Sequence, residues 1–240
     1  MGRVTTVPSY WRSAVEDEAM QDAHGFVWKA MLDTIDADLA GKRVLDAGCN
    51  RGGFLCLLCD ECGIAEGRGY DPAAAAIDDA RRLAGPRPLS FEVGDTVPTG
   101  WRRFDVAFSH EVLYLLHDLS AHAEAIFAAL VPGGSYYAVM GVHAGSPLMA
   151  DWHRASSDEL QLPKLYIIDE VVGVFGAAGF QVAAARLEIG FVPVAGAAPT
   201  VAGSGHTGGD HADPSDLLRW LEYYNDHKLL LRCTRPSSAR

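Results

Sequence analysis

The sequence contains no uninterrupted apolar run of the roughly 18 to 20 residues that a membrane-spanning helix needs. It also lacks a secretory pattern at its beginning, where the acidic residues Glu16, Asp17 and Asp22 come early. We therefore expect a cytoplasmic protein with no membrane contact.

Positive charge is scarce. The chain has 20 lysines and arginines against 31 aspartates and glutamates, which gives a formal net charge of -11. The arginine pairs at 81–82 and 102–103 do not build a basic stripe. Because a polyphosphate backbone would meet net repulsion, we expect no nucleic-acid partner.

Cysteine is scarce too: there are five, without the spacing of a disulfide framework. Three of them, Cys56, Cys59 and Cys62, have a spacing that can hold a metal or an iron–sulfur cluster. They lie in an apolar run, however, and steps of three place them near one face of a helix, where cysteine acts as a small hydrophobic residue. We expect core packing here and no metal site.

The composition of the chain predicts a single domain that spans residues 1–240, since 49% of the residues are hydrophobic and can bury one sizeable core. A helical pattern predicts an N-terminal cap over 1–40, with a helix at 13–39. Residues 43–141 alternate short apolar runs with helical segments, as βαβ units do. Segments 142–168 and 191–225 are predicted to cover the substrate side, and the Gly-rich stretch 193–214 is either a lid or disordered.

The predicted sheet begins with five successive strands, at 43–47, 67–70, 89–93, 104–109 and 135–141. A helix at 119–130 is stopped by Pro132 and the glycines that follow it. Regular structure is not predicted at 146–163. It resumes with helices at 169–178 and 217–224 and with strands at 180–189 and 228–234.

The strongest functional signal is the run 46–52, Asp-Ala-Gly-Cys-Asn-Arg-Gly, which joins a strand to a helix through a Gly-rich turn. Glycine lets the backbone approach a ligand closely, and ligands of open α/β sheets bind at the carboxyl ends of the strands. A pyrophosphate site would have glycine where Asn50 stands, and Asp46 would repel phosphate. The run favours instead a ligand with a cationic amino-acid tail, which Asp46 would contact while Gly48 leaves room.

This run resembles motif I of the class I S-adenosylmethionine-dependent methyltransferases, whose acidic-x-Gly-x-Gly-x-Gly pattern it matches except at Asn50. The resemblance extends from about Arg43 to Thr234. It implies a three-layer α/β, Rossmann-like sheet that is mostly parallel with an antiparallel last strand, a helical N-terminal cap and a lid-like insertion before the last strand. It also implies S-adenosyl-L-methionine as cofactor, S-adenosyl-L-homocysteine as product and a small-molecule methyl acceptor, with the protein a monomer or homodimer.

Further cofactor residues follow the next strands. Asp71 comes after Asp46 at nearly the roughly 20-residue offset at which a Rossmann acid meets ribose hydroxyls. The resemblance places Asp95 at the adenine amino group, with Tyr70 and Pro72 beside the adenine. The residues assigned to the cofactor are Asp46, Gly48, Asn50, Gly52, Asp71, Pro72, Asp95, Thr96 and Ser109.

Methyl transfer is an in-line displacement that needs alignment and exclusion of water, and a base helps only some nucleophiles. His110, at the end of the fourth strand, is the candidate base; its alternative is a structural or cofactor-contacting histidine. Glu111 would orient it or bind an amine. Tyr114 would line the pocket, with core packing as its alternative.

Aromatic residues of the cap segments could enclose a flat substrate: Tyr10, Trp11, Trp28, His143, Trp152, His153, Tyr166, Phe191, Trp220, Tyr223 and Tyr224. A metal site at His206, Asp210 and His211 is a weak alternative. Other chemistry on the same cofactor, a non-catalytic binding module and a nicotinamide oxidoreductase stay open as functions. The acceptor is expected to offer oxygen or nitrogen, and natural-product biosynthesis fits by analogy.

Overall fold

The computed structural model describes residues 14–160, 162–192 and 214–237. The Gly-rich stretch through residue 213 lies outside the described residues, and so do Tyr10, Trp11, His206, Asp210 and His211. Among the described helices, none is long and apolar enough to cross a membrane.

Seven strands form one sheet in the order β3-β2-β1-β4-β5-β7-β6. They are β1 (Arg43–Ala47), β2 (Glu66–Asp71), β3 (Leu89–Val93), β4 (Phe104–His110), β5 (Leu130–Gly141), β6 (Gln181–Arg186) and β7 (Lys228–Thr234). Strand β7 runs antiparallel to β5 and β6, whereas the other neighbours pair in parallel. The predicted fold class is confirmed.

Helices cover both faces of the sheet. They are α1 (Ala14–Thr34), α2 (Gly53–Leu57), α3 (Ala74–Ala84), α4 (Leu119–Ala129), α5 (Pro147–Leu160), α6 (Ile168–Ala177) and α7 (Pro214–Asp226). On one face, Met31 of α1, Phe54 of α2 and Ile77 of α3 belong to a single buried cluster. On the other, Ile126 of α4 packs with Phe175 of α6. The three layers leave the carboxyl ends of β1 to β4 at one edge of the sheet.

The boundaries of β5 differ from the prediction. The strand begins at Leu130, so Pro132 and the glycines lie inside it rather than in a turn before it. The register between β4 and β5 shifts between Phe104 and Val106. A bulge of this kind absorbs a proline and a glycine with φ 84°, here Gly133, without ending the strand.

Helix α5 occupies 147–160, where no regular structure was predicted, and that prediction was wrong. Two common features of helix N-termini occur where α5 begins. The Ser146 hydroxyl accepts a hydrogen bond from the Met149 N–H at 3.4 Å, and Pro147 holds the first helical position. The helix brings Trp152 toward the carboxyl edge of the sheet, against Tyr114.

The cysteine run packs as a hydrophobic segment, but not on one face of a regular helix. After α2 the chain widens into a π-helical turn, Leu58–Cys62, which Gly63 closes in the left-handed conformation. Cys56 is buried, and Cys59 and Cys62 are partly buried. Burial raises the pKa of all three thiols, and no group of three metal-ligating side chains occurs within the described ranges.

A short chain of polar groups crosses the core beneath α4. The Ser109 and Tyr136 hydroxyls lie 2.5 Å apart, and His122 Nε2 lies 3.1 Å from the Tyr136 hydroxyl. All three side chains are buried. Because each polar group has a partner, the core accommodates them without a large desolvation cost.

We expect His122 to make the fold sensitive to acid. Burial lowers the pKa of His122 from 6.5 to about 4, so between these values the unfolded chain binds a proton that the folded chain does not. The free energy of unfolding should therefore fall by about 2 to 3 kcal/mol more in the wild type than in His122→Gln between pH 7 and 4.5. Urea titrations at the two pH values measure this difference. The exposed residue His117, changed to Gln, is the control, and equal acid losses in wild type and His122→Gln would contradict the prediction.

Candidate active site

The Gly-rich loop after β1 takes a left-handed backbone at three positions, with φ 77° at Gly48, 44° at Asn50 and 76° at Gly52. The first and third require glycine. An ideal Cβ on Gly48 would lie 2.5 Å from Val112 Cγ2, and one on Gly52 would lie 2.7 Å from Phe91 Cζ. Asparagine is the side chain that tolerates the second position best after glycine, which accounts for the departure from the three-glycine pattern.

Asp71 ties this loop to the next helix. Its Oδ2 accepts a hydrogen bond from the Asn50 N–H at 3.0 Å, and its Oδ1 accepts one from the Ala73 N–H at 2.8 Å. Each carboxylate oxygen has a further lone pair, so Asp71 can hold the loop and still accept hydrogen bonds from a ligand.

Asp46 lies beneath the loop at the end of β1 and is only 4% exposed. Burial, together with the negative charge of Asp71, raises the pKa of Asp46 to about 7. Two carboxylates whose negative charges repel each other, one of them buried, favour a cation between them.

Two polar atoms in this region are buried without a hydrogen-bond partner: Asn50 Oδ1 and the Tyr70 hydroxyl. Burial raises the pKa of Tyr70, and the charges of Asp46, Asp95 and Asp71 raise it further, which places this hydroxyl among the acidic residues. Unsatisfied buried groups are rare in native proteins, so they mark a place where a polar ligand fits. The ring of Tyr70 belongs to the core, contrary to the prediction that it lies beside the adenine.

Pro72, Asp95 and Thr96 are exposed at the same edge. The segment after β3 is joined to the end of β2 by a hydrogen bond from the Gly94 N–H to the Asp71 carbonyl oxygen, 3.0 Å long. The structure thus brings together the residues that follow β1, β2 and β3.

Ser109 does not join them. Its side chain is fully buried on the α4 side of the sheet, against Tyr136. Successive side chains of a strand point to opposite faces, so Ser109 and His110 cannot both face the same side. The assignment of the Ser109 side chain to the cofactor is corrected accordingly.

His110 ends β4, and its imidazole meets that of His24 from α1 edge to face, with ring centres 4.9 Å apart. Its Nε2 is buried without a hydrogen-bond partner. Burial lowers the pKa of His110 well below 6.5, and the charges of His24 and Lys228 lower it further. The imidazole is therefore neutral at physiological pH.

Glu111 has a left-handed backbone, φ 57°, and its N–H donates to the Val139 carbonyl oxygen. Its carboxylate was predicted to orient His110 or to bind an amine. Instead, Lys228 Nζ donates to Glu111 Oε1 at 2.9 Å and the Tyr223 hydroxyl donates to Oε2 at 3.4 Å. Lys228 was not predicted as a site residue. The feature of the sequence that could have identified it is a lysine at the first position of an otherwise apolar strand.

Aromatic side chains pack beside this ion pair. The Tyr114 ring lies 4.0 Å from the ring of His143, which lies 5.4 Å from Trp152 and 6.2 Å from Tyr223, between ring centres. Lys228 Nζ lies over the Tyr223 ring, 5.2 Å from its centre. Of the aromatic residues expected on the substrate side, His143, Trp152 and Tyr223 lie here, whereas Trp28 packs against Phe54 and Phe191 is fully exposed.

Comparison with known proteins identifies the family. A family model described as a methyltransferase domain matches residues 20–185, well over half of the chain. The chain belongs to this methyltransferase family. The resemblance to class I S-adenosylmethionine-dependent methyltransferases is thereby confirmed, and so is the enzyme class. None of the curated proteins compared with the chain matches it.

Solved structures share the fold of this methyltransferase. A chain of the complex that contains the Haloferax volcanii Trm112 methyltransferase activator is 24% identical, with a TM-score of 0.74 over 93% of this chain and 95% of that one. An S-adenosylmethionine-dependent methyltransferase from Mesorhizobium loti is 17% identical, with a TM-score of 0.64 over 90% and 100%. Geranyl diphosphate C-methyltransferase from Streptomyces coelicolor A3(2), in complex with geranyl diphosphate and S-adenosyl-L-homocysteine, is 16% identical, with a TM-score of 0.65 over 96% and 87%.

Proposed function

We propose that this methyltransferase binds S-adenosyl-L-methionine at the carboxyl edge of β1 to β3 and methylates an oxygen or nitrogen of a small molecule. The observation that carries the proposal is the convergence of Asp46, Asp71 and Asp95 on a loop with two unsatisfied buried polar atoms, Asn50 Oδ1 and the Tyr70 hydroxyl. When bound, the cofactor supplies an electrophilic methyl group on a sulfonium.

The cofactor roles follow from the chemistry of each side chain. Asp46 would attract the ammonium of the amino-acid tail, and Asp71 would accept hydrogen bonds from the ribose hydroxyls. Asp95 and Thr96 would face the adenine amino group, and Pro72 would lie beside the ring. These assignments combine the family pattern with the placement of the residues at one edge of the sheet.

On the acceptor side, we assign His110 as the base that takes the proton of a hydroxyl nucleophile, and Tyr114 as a residue that lines the pocket. A neutral imidazole can accept that proton at physiological pH. The acceptor is a metabolite, and natural-product tailoring is an analogy with the wider family. We propose a monomer or homodimer in the cytoplasm, without a nucleic-acid partner.

Calorimetry tests the cofactor proposal directly. We expect S-adenosyl-L-methionine and S-adenosyl-L-homocysteine each to bind with one site per chain, and NAD not to bind. Incubation with cofactor labelled on its methyl group should then move the label to an acceptor and release S-adenosyl-L-homocysteine. Binding of NAD in place of either compound would overturn the proposal.

We expect cofactor binding to release a proton from Asp46. The pKa of this carboxyl is about 7 because burial and Asp71 disfavour its charge, whereas an ammonium favours it. At pH 6.5, where an α-amino group is charged, binding should release more than about half a proton, so affinity rises as pH increases toward 7. Calorimetry in two buffers of different ionisation enthalpy measures this. The Asp46→Asn variant should lose the release; an unchanged release would rule out Asp46 as its source.

A further inference from the structure

Two histidines near the Glu111–Lys228 pair have ring nitrogens without partners. His143 is only 3% exposed, and both of its ring nitrogens are buried without a hydrogen bond. The Nε2 of His110 is in the same state. His110 directly precedes Glu111, and the His143 ring lies 6.2 Å from the ring of Tyr223, whose hydroxyl donates to Glu111, so both imidazoles lie beside one ion pair. Because native proteins satisfy nearly all buried polar atoms, three unsatisfied nitrogens in one place point to a ligand.

The charges of this region are already balanced. Lys228 is 2% exposed and donates to the Glu111 carboxylate, which also accepts from the Tyr223 hydroxyl. Burial lowers the pKa of His143 to about 4, and burial likewise lowers the pKa of His110. The cation that a phosphate group would meet here, Lys228, is therefore already paired with Glu111. The carboxylate that an ammonium group would meet, Glu111, is likewise already paired with Lys228. Burying another charge here is costly, whereas burying a neutral group is not.

Neutral imidazole offers one donor and one acceptor, and a hydroxyl complements both. The walls around His143 are aromatic, from Tyr114, Trp152 and Tyr223. Tyr114 and Trp152 are partly exposed, so the enclosure opens to solvent on their side. Aromatic walls favour a flat ring.

We propose that the methyl acceptor is an uncharged aromatic compound with a hydroxyl group, which hydrogen-bonds to His143 and His110 beside the rings of Tyr114 and Trp152. The inference rests on the proposed function and narrows its oxygen or nitrogen acceptor to a phenolic oxygen. Such an acceptor differs from geranyl diphosphate, the charged compound in the Streptomyces coelicolor complex.

Phenol serves as the probe, and the imidazole signals of His143 and His110 in nitrogen-15 NMR spectra serve as the readout, with S-adenosyl-L-homocysteine bound. We expect phenol to shift both sets of signals. Anisole, which cannot donate a hydrogen bond, should bind about three- to tenfold more weakly, as expected for the loss of one such bond. Phenyl phosphate and benzylamine should also bind more weakly than phenol.

His143→Phe keeps an aromatic ring and removes both nitrogens, so it should weaken phenol binding by about three- to tenfold, as expected for the loss of one of the two hydrogen bonds to the hydroxyl. The exposed His117, changed to Phe, is the matched control and should bind phenol as the wild type does. Equal binding of phenol and anisole to the wild type, tighter binding of either charged compound, or unmoved histidine signals would overturn the inference, even if His143→Phe does not fold. Failure of S-adenosyl-L-homocysteine to bind would count against the proposed function instead.

Discussion

Replacing His110 with alanine should lower turnover of a hydroxyl acceptor by roughly a hundred- to ten-thousandfold and leave cofactor binding nearly intact. The imidazole lies at the end of β4, next to β1, the strand that carries Asp46, and its Nε2 has no partner within the described protein. A phenol has an ordinary pKa near 10, so removal of its proton by a base speeds its attack on the methyl group. With an amine acceptor, the loss of turnover in His110→Ala should be smaller.

The pH–rate profile distinguishes this role from packing. The pKa of His110 is lowered well below 6.5 by burial and by the charges of His24 and Lys228, so the imidazole stays neutral as pH falls through 6.5. The acid limb of the wild-type profile should therefore lie well below pH 6.5, and it should disappear in His110→Ala. His117→Ala is the control for the loss of an exposed histidine. Full activity in His110→Ala with an unchanged acid limb would leave His110 as a packing residue.

The Asp71→Ala change should weaken binding of S-adenosyl-L-methionine by roughly ten- to a hundredfold. The loss combines two effects. Charge-assisted hydrogen bonds to the ribose hydroxyls disappear, and the loop loses the carboxylate that holds the Asn50 and Ala73 N–H groups. Asp71→Asn, which keeps one acceptor oxygen, should show an intermediate loss.

Calorimetry gives the dissociation constants, with circular dichroism to confirm folding. Asp78→Ala is the matched control, since this exposed residue of α3 pairs only weakly with Arg81 on the surface. Its dissociation constant should equal that of the wild type. A folded Asp71→Ala variant with an unchanged constant would remove Asp71 from the site and undermine the motif assignment.

Sequence reasoning located the sheet well because its strands are short apolar runs separated by strong helix and turn signals. Strands β1, β3 and β7 have the predicted bounds. The sequence did not predict the ends of elements that depend on tertiary contacts. Helix α1 ends at Thr34 rather than at 39, and beyond it Asp36 accepts a hydrogen bond from the Tyr137 hydroxyl at 2.6 Å.

The site likewise has features that the local sequence predicts and features that depend on distant contacts. The local sequence predicts the loop from Asp46 to Gly52, because its backbone needs glycine at two positions. The local sequence does not predict the partner of Glu111, since Lys228 lies 117 residues further along the chain. The alternation of β4 would have separated Ser109 from His110, had it been applied to the two residues at the strand end.

The position of β7 between β5 and β6 has a consequence for synthesis of the protein. Strand β6 pairs with β7 alone, so while a nascent chain emerges from the ribosome β6 has no neighbour until residues 228–234 follow it. Until then β5 is an unprotected edge, which exposes the incomplete chain to aggregation. A chain truncated before residue 228 would lose two strands of the sheet rather than one.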